Sequence, residues 1–232
     1  MKTILLKFSG PLQSWGTSSH FETRHTDPYP SKSAVIGMIA AAFGYRRDDD
    51  ESIRRLNQLH YAVRADQIGS VLKDFHTARK YKKNGDFERN YVTNRYYLED
   101  SVFVVGIGNE DDDWIDSIED ALRHPYFQLF LGRRSLPVTL DFLLGSVETD
   151  VITALKDYEW QAASRYRKAH TNQVTIYADA ELIDDSDDAL RNDHVVSFSQ
   201  IRGRQFTSRK EARLRVKVFS HEDHDAFEAI GE

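Results

Sequence analysis

An Asn-Gly-Asp turn at residues 84–86 lies between two long runs of strand-type and basic residues in the segment DFHTARKYKKNGDFERNYVTNRYYL. Asn-Gly between such runs is a strong signal for a two-stranded hairpin. The runs contain too few core-type residues to be buried along their length. The sequence therefore predicts a long hairpin at about residues 74–98 that protrudes from the body of the protein.

The elements predicted around this hairpin follow a regular order. Helix 31–44 begins after Pro30 with Ser31 as its N-cap and ends at Gly44, as helix-end signals require. Further helices are predicted at 52–60 and 111–125, and strands at 3–8, 61–66, 101–108 and 126–132. The two longer helices and the four strands run β-α-β-β-α-β. This order predicts an α+β protein with a ferredoxin-like domain, similar to RNA-recognition motifs.

The pattern changes after residue 138. A helix is predicted at about 148–158, and short strands are predicted at 173–180, 194–199 and 213–219. We therefore predict two domains, a ferredoxin-like domain at 1–138 and a smaller, mainly β domain at 139–232.

The composition of the chain excludes several kinds of functional site and several cellular locations. The chain has no cysteine, which removes disulfides, thiol nucleophiles and thiolate zinc sites. The apolar run near the N-terminus is too short for a signal peptide, and no window approaches the roughly 20 apolar residues of a membrane-spanning helix. We expect a soluble, unexported, cytoplasmic protein.

The charge is distributed in blocks. The net charge is −6, but residues 64–97 hold eight basic residues against four acids, and residues 201–217 hold seven against one. The acids are concentrated at 48–51, 110–120 and 184–188. A protein of this kind can bind an anion with one face and keep its acids on another.

Motifs for enzymatic chemistry are incomplete in this chain. Gly10 and Gly16 have five residues between them and Thr17 where a P-loop needs lysine, and Ser14 lacks the first flanking glycine of a nucleophile elbow. The segment HEDHD at 221–225 lacks the H-E-x-x-H spacing of a zinc site. The other histidines are scattered singly at positions 20, 25, 60, 76, 124, 170 and 194. The sequence predicts no catalytic residue, no metal and no cofactor.

The hairpin carries a nucleic-acid pattern instead. Its aromatic residues alternate with cations, and aromatic faces stack on unpaired bases at about 1–3 kcal/mol per base while cations follow phosphates. The segment QIRGRQFTSRKEARLRVK repeats this chemistry. The alternative interpretation is a solvated hairpin whose tyrosines only pack its base.

Seven segments in register resemble a known family. They are LKFSGPLQSWG, PSKSAVIGMIAAAFG, VRADQIG, DFHTARK, RYYLEDSVFVVGI, LFLGRRS and RGRQFTSR. Together they resemble the CasD family, the small RNA-handle-binding subunits of type I-E CRISPR Cascade surveillance complexes. The resemblance implies a modified RNA-recognition fold with a protruding thumb hairpin and a smaller C-terminal β region.

The resemblance also implies function and partners. The chain would cap the complex by gripping the 5′ handle of the CRISPR RNA, and it would dock the backbone and large subunits. Foreign double-stranded DNA would be reached only indirectly, through the complex. On this basis the residues expected to contact RNA are Ser9, Gly10, Gln13, Trp15, Gly16, Arg24, His25, Thr26, Ser31, Lys32, Ser33, His76, Arg79, Lys80, Lys82, Lys83, Arg89, Arg95, Arg133, Arg134, Arg202 and Arg204.

Two other functions remain open at this point. A metal-independent endoribonuclease that processes repeat RNA could use His76 with Tyr45, Lys73 or Lys80, but the Lys-His dipeptide of cutting relatives does not occur in this chain. A protein-interaction subunit that touches no RNA would leave the charge of the hairpin incidental. We favour the non-catalytic RNA-binding subunit.

Overall fold

A computed structural model describes residues 1–17, 22–184, 188–201 and 203–220. The helices are α1 Lys32–Phe43, α2 Asp50–Arg55, α3 Asp112–Arg123, α4 Val151–Asp157 and α5 Ser164–Ala169. The strands are β1 Lys2–Phe8, β2 Leu12–Gln13, β3 Thr23–Arg24, β4 His60–Gln67, β5 Ser70–Tyr81, β6 Phe87–Glu99, β7 Val102–Asn109, β8 Leu143–Val147, β9 Gln173–Asp179, β10 Ala189–Ser197 and β11 Gln205–Lys217. Short 3-10 turns follow α2 and β9.

Seven strands form one sheet in the order β10-β11-β9-β4-β7-β1-β8, with antiparallel neighbours throughout. An antiparallel sheet with helices packed on its faces is an α+β architecture, as predicted. Leaving out the hairpin and the short elements, β1, α1, β4, β7, α3 and β8 follow the expected order β-α-β-β-α-β along the chain.

The sheet is covered on both faces, which explains why its central strands are apolar at successive positions. Ile4, Leu6 and Phe8 of β1 pack in a core with α1 and α3. Leu5, between them, belongs to a second core with α4 on the opposite face. Because successive side chains of a strand point to opposite faces, β1 needs apolar residues at consecutive positions.

Helix α1 forms with the predicted ends. Ser31 accepts the backbone N–H of Ala34 as N-cap, and Gly44 ends the helix with φ +78°. A side chain at Gly44 would clash, because its β-carbon would lie 2.7 Å from the ring of Tyr126. The sequence therefore contained the local signals that fix this helix.

The predicted strand at 126–132 is wrong. The backbone N–H groups of Tyr126 and Phe127 donate to the carbonyls of Ala42 and Ala41 at the end of α1, and only Phe130 makes an isolated bridge. Leu129 and Leu131 of this run pack in the core, whereas Tyr126 and Phe127 are more than half exposed, and the run does not join the sheet. The outer partner of β1 is β8, which begins after the predicted domain boundary.

The strands assigned to a second domain join the same sheet as those of the first. Strand β9 pairs with β4, and β8 pairs with β1. The division at residue 138 stays a prediction.

The predicted hairpin is confirmed. Strands β5 and β6 pair continuously from Ser70 opposite Glu99 to Tyr81 opposite Phe87. Strands β2 and β3 pair with the other edge of β6, but only at its base. Among the described residues no third strand accompanies the hairpin beyond Asn94, so its outer part stands clear of the core.

Candidate nucleic-acid interface

The two faces of the hairpin differ in chemistry. Residues opposite each other in an antiparallel pair share a face. One face, here called the aromatic face, leaves Phe75 67% exposed and Tyr81, Phe87 and Val92 more than half exposed. The other side of the hairpin is here called the polar face. It carries Asp74, His76, Ala78, Lys80, Arg89, Tyr91, Thr93 and Arg95. The hairpin thus offers ring faces on one side and mainly polar groups on the other.

At the base of the hairpin an aromatic stack lies near a lysine. The ring of His25 lies on Tyr96 with centroids 5.2 Å apart, and the Lys73 Nζ lies 5.9 Å from the centre of the same tyrosine ring. Strand β3 runs parallel to β6 and places Arg24 opposite Arg95. These residues and Arg133 are here called the hairpin-base cluster.

Arg133 holds this cluster together. Its Nη2 donates to the carbonyl oxygens of Arg24 at 3.1 Å and Tyr96 at 3.0 Å, and its guanidinium lies 4.2 Å from the ring centre of Tyr97. The Nη1 of Arg133 and the Nε of Arg95 are buried and have no hydrogen-bond partner among the described residues. A buried donor without a partner is costly to the fold.

A buried ionic network fixes the loop that carries His25. Arg191 donates to the carboxylate of Asp27 at 3.2 Å and to the carbonyl of Tyr29 at 3.3 Å. The Tyr29 hydroxyl donates to Glu211 at 2.6 Å, and burial together with this bond raises the pKa of Tyr29 above its ordinary value. Tyr29 therefore remains a donor, and the loop is fastened to β10 and β11.

Comparison with known proteins assigns the family. Residues 3–216 match the family described as CRISPR-associated protein (Cas_Cas5). The chain belongs to this Cas5 family. A relative from Escherichia coli strain K12, named CRISPR system Cascade subunit CasD, is 32% identical over 171 residues, which cover 67% of this chain and 76% of the relative.

Solved structures of Cas proteins share the fold of this Cas5-family chain. A chain described as CRISPR RNA-guided surveillance complex has a TM-score of 0.79 and 31% identity, over 96% of this chain and 95% of that one. A second, described as crystal structure of Cas protein, has a TM-score of 0.68 and 29% identity, over 94% and 98% of the two chains. In the part of the chain that the structure describes, every helix falls short of the length and hydropathy needed to cross a membrane.

Two residues predicted near RNA are core residues in this Cas5-family chain. The side chain of Gln13 is fully buried, and its Nε2 donates to the carbonyls of Ser101 at 2.7 Å and Phe8 at 3.2 Å. Its Oε1 accepts the indole N–H of Trp15, whose ring stacks on Phe8. Both side chains have structural roles, because their polar atoms are already paired in the core. Their contact with RNA stays a prediction.

Two further predicted residues, at the start of α1, also have structural roles, and their contact with RNA stays a prediction. Lys32 is buried, and its Nζ donates to Asp179 at 2.8 Å and to the carbonyl of Asn57 at 3.0 Å. Ser31 is buried as the helix N-cap. Their charge and hydroxyl are used inside the protein.

Other predicted residues are partly engaged. Thr26 accepts the backbone N–H of Trp15 and donates to the carbonyl of Asp27, and Ser9 lies 3.3 Å from the hydroxyl of Thr139. These contacts shape the loops that border the hairpin base. Gly10 and Ser33 are half-buried. Arg202, with His20 and the segment 221–225, lies outside the described residues.

The remaining predicted residues are accessible but do not form one site. The hairpin-base cluster brings together only Arg24, His25, Arg95 and Arg133 from the predicted set. The exposed positions elsewhere are Gly16, His76, Arg79, Lys80, Lys82, Lys83, Arg89, Arg134 and Arg204. Lys80 is paired with Glu88 at 2.8 Å, and Arg89 lies on the ring of Tyr91.

Tyr96, one of the aromatic residues of the predicted hairpin, and Lys73, just before its predicted start, are not in the list of residues expected to contact RNA. Their signal is the strand register, since Lys73 is opposite Tyr96 and both side chains share the face that meets His25. That pairing of β5 with β6 can be assigned from the sequence only once the position of the hairpin turn is known. Among the described residues no group of three or more metal-binding side chains is arranged to hold an ion.

Proposed function

We propose that this chain is a non-catalytic RNA-binding subunit of a type I-E CRISPR Cascade surveillance complex in the cytoplasm. It grips the 5′ handle of the CRISPR RNA and docks the neighbouring backbone and large subunits. Foreign double-stranded DNA is reached through the assembled complex. Family membership, the Cascade subunit named as a relative, and the similar chain from an RNA-guided surveillance complex support this assignment.

The observation that carries the RNA-binding role is the hairpin-base cluster. The rings of His25 and Tyr96 stack on the face of the hairpin that also carries Lys73. The side chain of Arg95 lies on the opposite, polar face near His76, and Arg133 lies over the ring of Tyr97. Rings stack on unpaired bases, and arginine donors fit phosphate oxygens in pairs. The cluster therefore offers both groups that single-stranded RNA recognition needs.

The endoribonuclease alternative receives less support from the geometry. Lys73 and His76 are three positions apart on β5, so their side chains point to opposite faces of the hairpin. Lys80 shares a face with His76 but is paired with Glu88, and the ring of Tyr45 is stacked on Phe43. Among these four candidate residues, the structure does not place a base, an acid and an unpaired cation together at one phosphate.

A crosslinking experiment on the assembled complex tests the RNA-binding role. Ultraviolet irradiation is expected to link RNA to peptides that contain His25 or Tyr96. The double variant Arg24→Ala/Arg95→Ala should lose RNA at raised salt, because two cations at the base of the hairpin are removed. Lys156→Ala, an exposed cation on α4, is the matched control and should retain RNA as the unaltered complex does. Unchanged RNA retention in the double variant would favour a protein-interaction subunit that touches no RNA.

Catalysis is tested separately with the purified chain. We expect a repeat transcript to remain intact in its presence. Cleavage that His76→Ala abolishes would establish the endoribonuclease and overturn the non-catalytic role.

A further inference from the structure

A cavity of about 540 Å³ lies where the hairpin joins the body of the protein. It is bounded by the loop after β1, the end of β4, the turn between β6 and β7, and α5, and it is here called the α5 cavity. Strand β5 begins soon after the end of β4, and β6 ends directly before the turn, so both strands of the hairpin leave the body beside this cavity. Its volume is typical of a pocket for a small organic group.

Side-chain hydrogen bonds fix the walls of the α5 cavity. The Nε2 of Gln67 donates to the carbonyl of Asp100 at 2.6 Å, and its Oε1 accepts the backbone N–H of Ala163 at 3.0 Å. The hydroxyl of Tyr166 accepts the backbone N–H of Ile68 at 3.4 Å. The cavity is therefore formed in the isolated chain, and a ligand does not have to order these segments when it binds.

One wall of the α5 cavity carries stacked aromatic rings. The rings of Tyr166 and His170 lie parallel within 8°, with centroids 3.8 Å apart. The Nδ1 of His170 lies 3.0 Å from the carbonyl oxygen of Tyr166, and the edge of Trp160 meets Tyr166 on another side. Because His170 is exposed, its ring can extend this stack by one further ring from a ligand.

Two charged side chains of opposite sign at the α5 cavity are left without a partner in the described part of the chain. Asp100 and Arg165 both line the cavity, yet they form no ion pair with each other or with another described residue. The next arginine of α5, Arg167, lies 3.7 Å from Glu159 instead. Asp100 also has a φ of +52°, a left-handed conformation that aspartate adopts more readily than most residues and that is often found at ligand sites.

The chemistry of the α5 cavity matches a single nucleotide. An aromatic ring stacks on a base, a carboxylate accepts N–H groups from the edge of the base, and a guanidinium donates in pairs to phosphate oxygens. An aliphatic side chain of a partner protein would use none of these three groups. A nucleotide uses all three at once.

We propose that the α5 cavity binds one unpaired nucleotide of the bound RNA. The base stacks on His170 and donates to Asp100, and the phosphate is bound by Arg165. The proposal rests on the RNA-binding function proposed above. It adds a second place of RNA contact, since none of the residues that line the α5 cavity belongs to the hairpin-base cluster.

Synthetic RNAs with a single abasic nucleotide test the stacking. The complex is assembled on a series of RNAs that each lack one base of the 5′ segment, and the affinity for each RNA is measured. At one position, loss of the base should weaken binding to the unaltered complex by about 5- to 150-fold, the range for one stacked base. In the His170→Ala complex, loss of the same base should have no further effect. Abasic effects of equal size in both complexes would overturn the site.

The salt dependence of RNA affinity tests the phosphate contact. Arg165→Ala should reduce the slope of log affinity against log salt by about 0.7, the value for one lost phosphate contact on a single strand. Lys168→Ala is the matched control, because Lys168 is an exposed cation of the same helix that does not line the cavity, and it should leave the slope unchanged. Equal slopes for the two variants would contradict the phosphate contact.

Base preference tests the role of Asp100. Asp100→Gly removes the carboxylate and keeps a residue that adopts a positive φ without strain. It should reduce the difference in affinity between RNAs that carry different bases at the position found by the abasic series. A carboxylate that only faces solvent would leave this difference unchanged, and that result would contradict the contact with the base.

Two further outcomes separate this site from the proposed function. An unaltered complex that holds no RNA would overturn the proposed function, and the nucleotide site with it. A different result is that the His170→Ala and Arg165→Ala complexes lose a partner protein but bind RNA as the unaltered complex does. The α5 cavity would then bind a protein segment, and the nucleotide site alone would be wrong.

Discussion

His25 and Tyr96 stack nearly parallel, with ring centroids 5.2 Å apart and 20° between their planes. One ring belongs to the loop after β3 and the other to β6. The stack therefore makes the position of the loop depend on the hairpin, and it places two aromatic rings on the face of the hairpin that carries Lys73.

This stack predicts a coupling between the two residues in RNA binding. His25→Ala and Tyr96→Leu should each weaken RNA binding by the assembled complex, and the double variant should lose less than the sum. The expected coupling is about 0.5–1.5 kcal/mol, as for other paired aromatic rings. It is measured by a double-mutant cycle on RNA dissociation constants. The control cycle combines His25→Ala with Tyr81→Ala near the hairpin tip, and those effects should add. Additive effects in the first cycle would contradict the coupling.

The neighbours Arg133 and Arg134 are predicted to differ in what they do. Arg133→Ala removes the donor to two backbone carbonyls, so the free energy of unfolding should fall by about 1–3 kcal/mol. Arg134 is exposed, and its replacement by Ala should change stability by less than about 0.5 kcal/mol. Urea unfolding of the two variants compares them directly. Equal free energies of unfolding for the two variants would show that the hydrogen bonds from Arg133 to the carbonyls of Arg24 and Tyr96 are not formed.

Lysines near the hairpin tip should contribute unequally to RNA binding. Lys82 and Lys83 are exposed, whereas Lys80 is paired with Glu88. Lys82→Ala/Lys83→Ala should reduce the salt slope of RNA affinity by about 1.4, twice the single-strand value of about 0.7 per phosphate. Lys80→Ala/Glu88→Ala removes an ion pair without changing net charge and should leave the slope unchanged. A reduced slope for Lys80→Ala/Glu88→Ala together with an unchanged slope for Lys82→Ala/Lys83→Ala would show that Lys80, and not Lys82 and Lys83, contacts the phosphates.

Lys32 is predicted to act on stability alone. Its loss leaves the buried carboxylate of Asp179 with Arg209 as its remaining cation, so Lys32→Ala should lower the free energy of unfolding by about 3 kcal/mol. The salt slope of RNA binding by the folded, assembled complex should not change. Chemical denaturation and the RNA titration together check this. A reduced slope without loss of stability would restore Lys32 as an RNA contact.

Features set by neighbouring residues could be predicted from the sequence. Asn84 and Gly85 marked the hairpin turn, and Ser31 and Gly44 marked the ends of α1, because turns and caps depend on local backbone geometry and hydrogen bonds. The order of the elements up to α3 followed from the same local signals, whereas the last strand of the predicted order was wrong.

Features set by distant partners could not be predicted. The run at 126–132 has the composition of a strand, but β8 pairs with β1 in its place. Gln13 and Lys32 have polar side chains that are typical of a surface, yet their partners Ser101 and Asp179 lie far away in the sequence.

Purification of the native complex tests the central claim most directly. The tagged chain is expressed with its genomic neighbours, and the proteins and RNA that accompany it are identified. The proposed function predicts a multi-subunit complex that holds RNA of uniform length with a repeat-derived 5′ segment. Recovery of the chain alone, or of partner proteins without RNA, would contradict the proposed function.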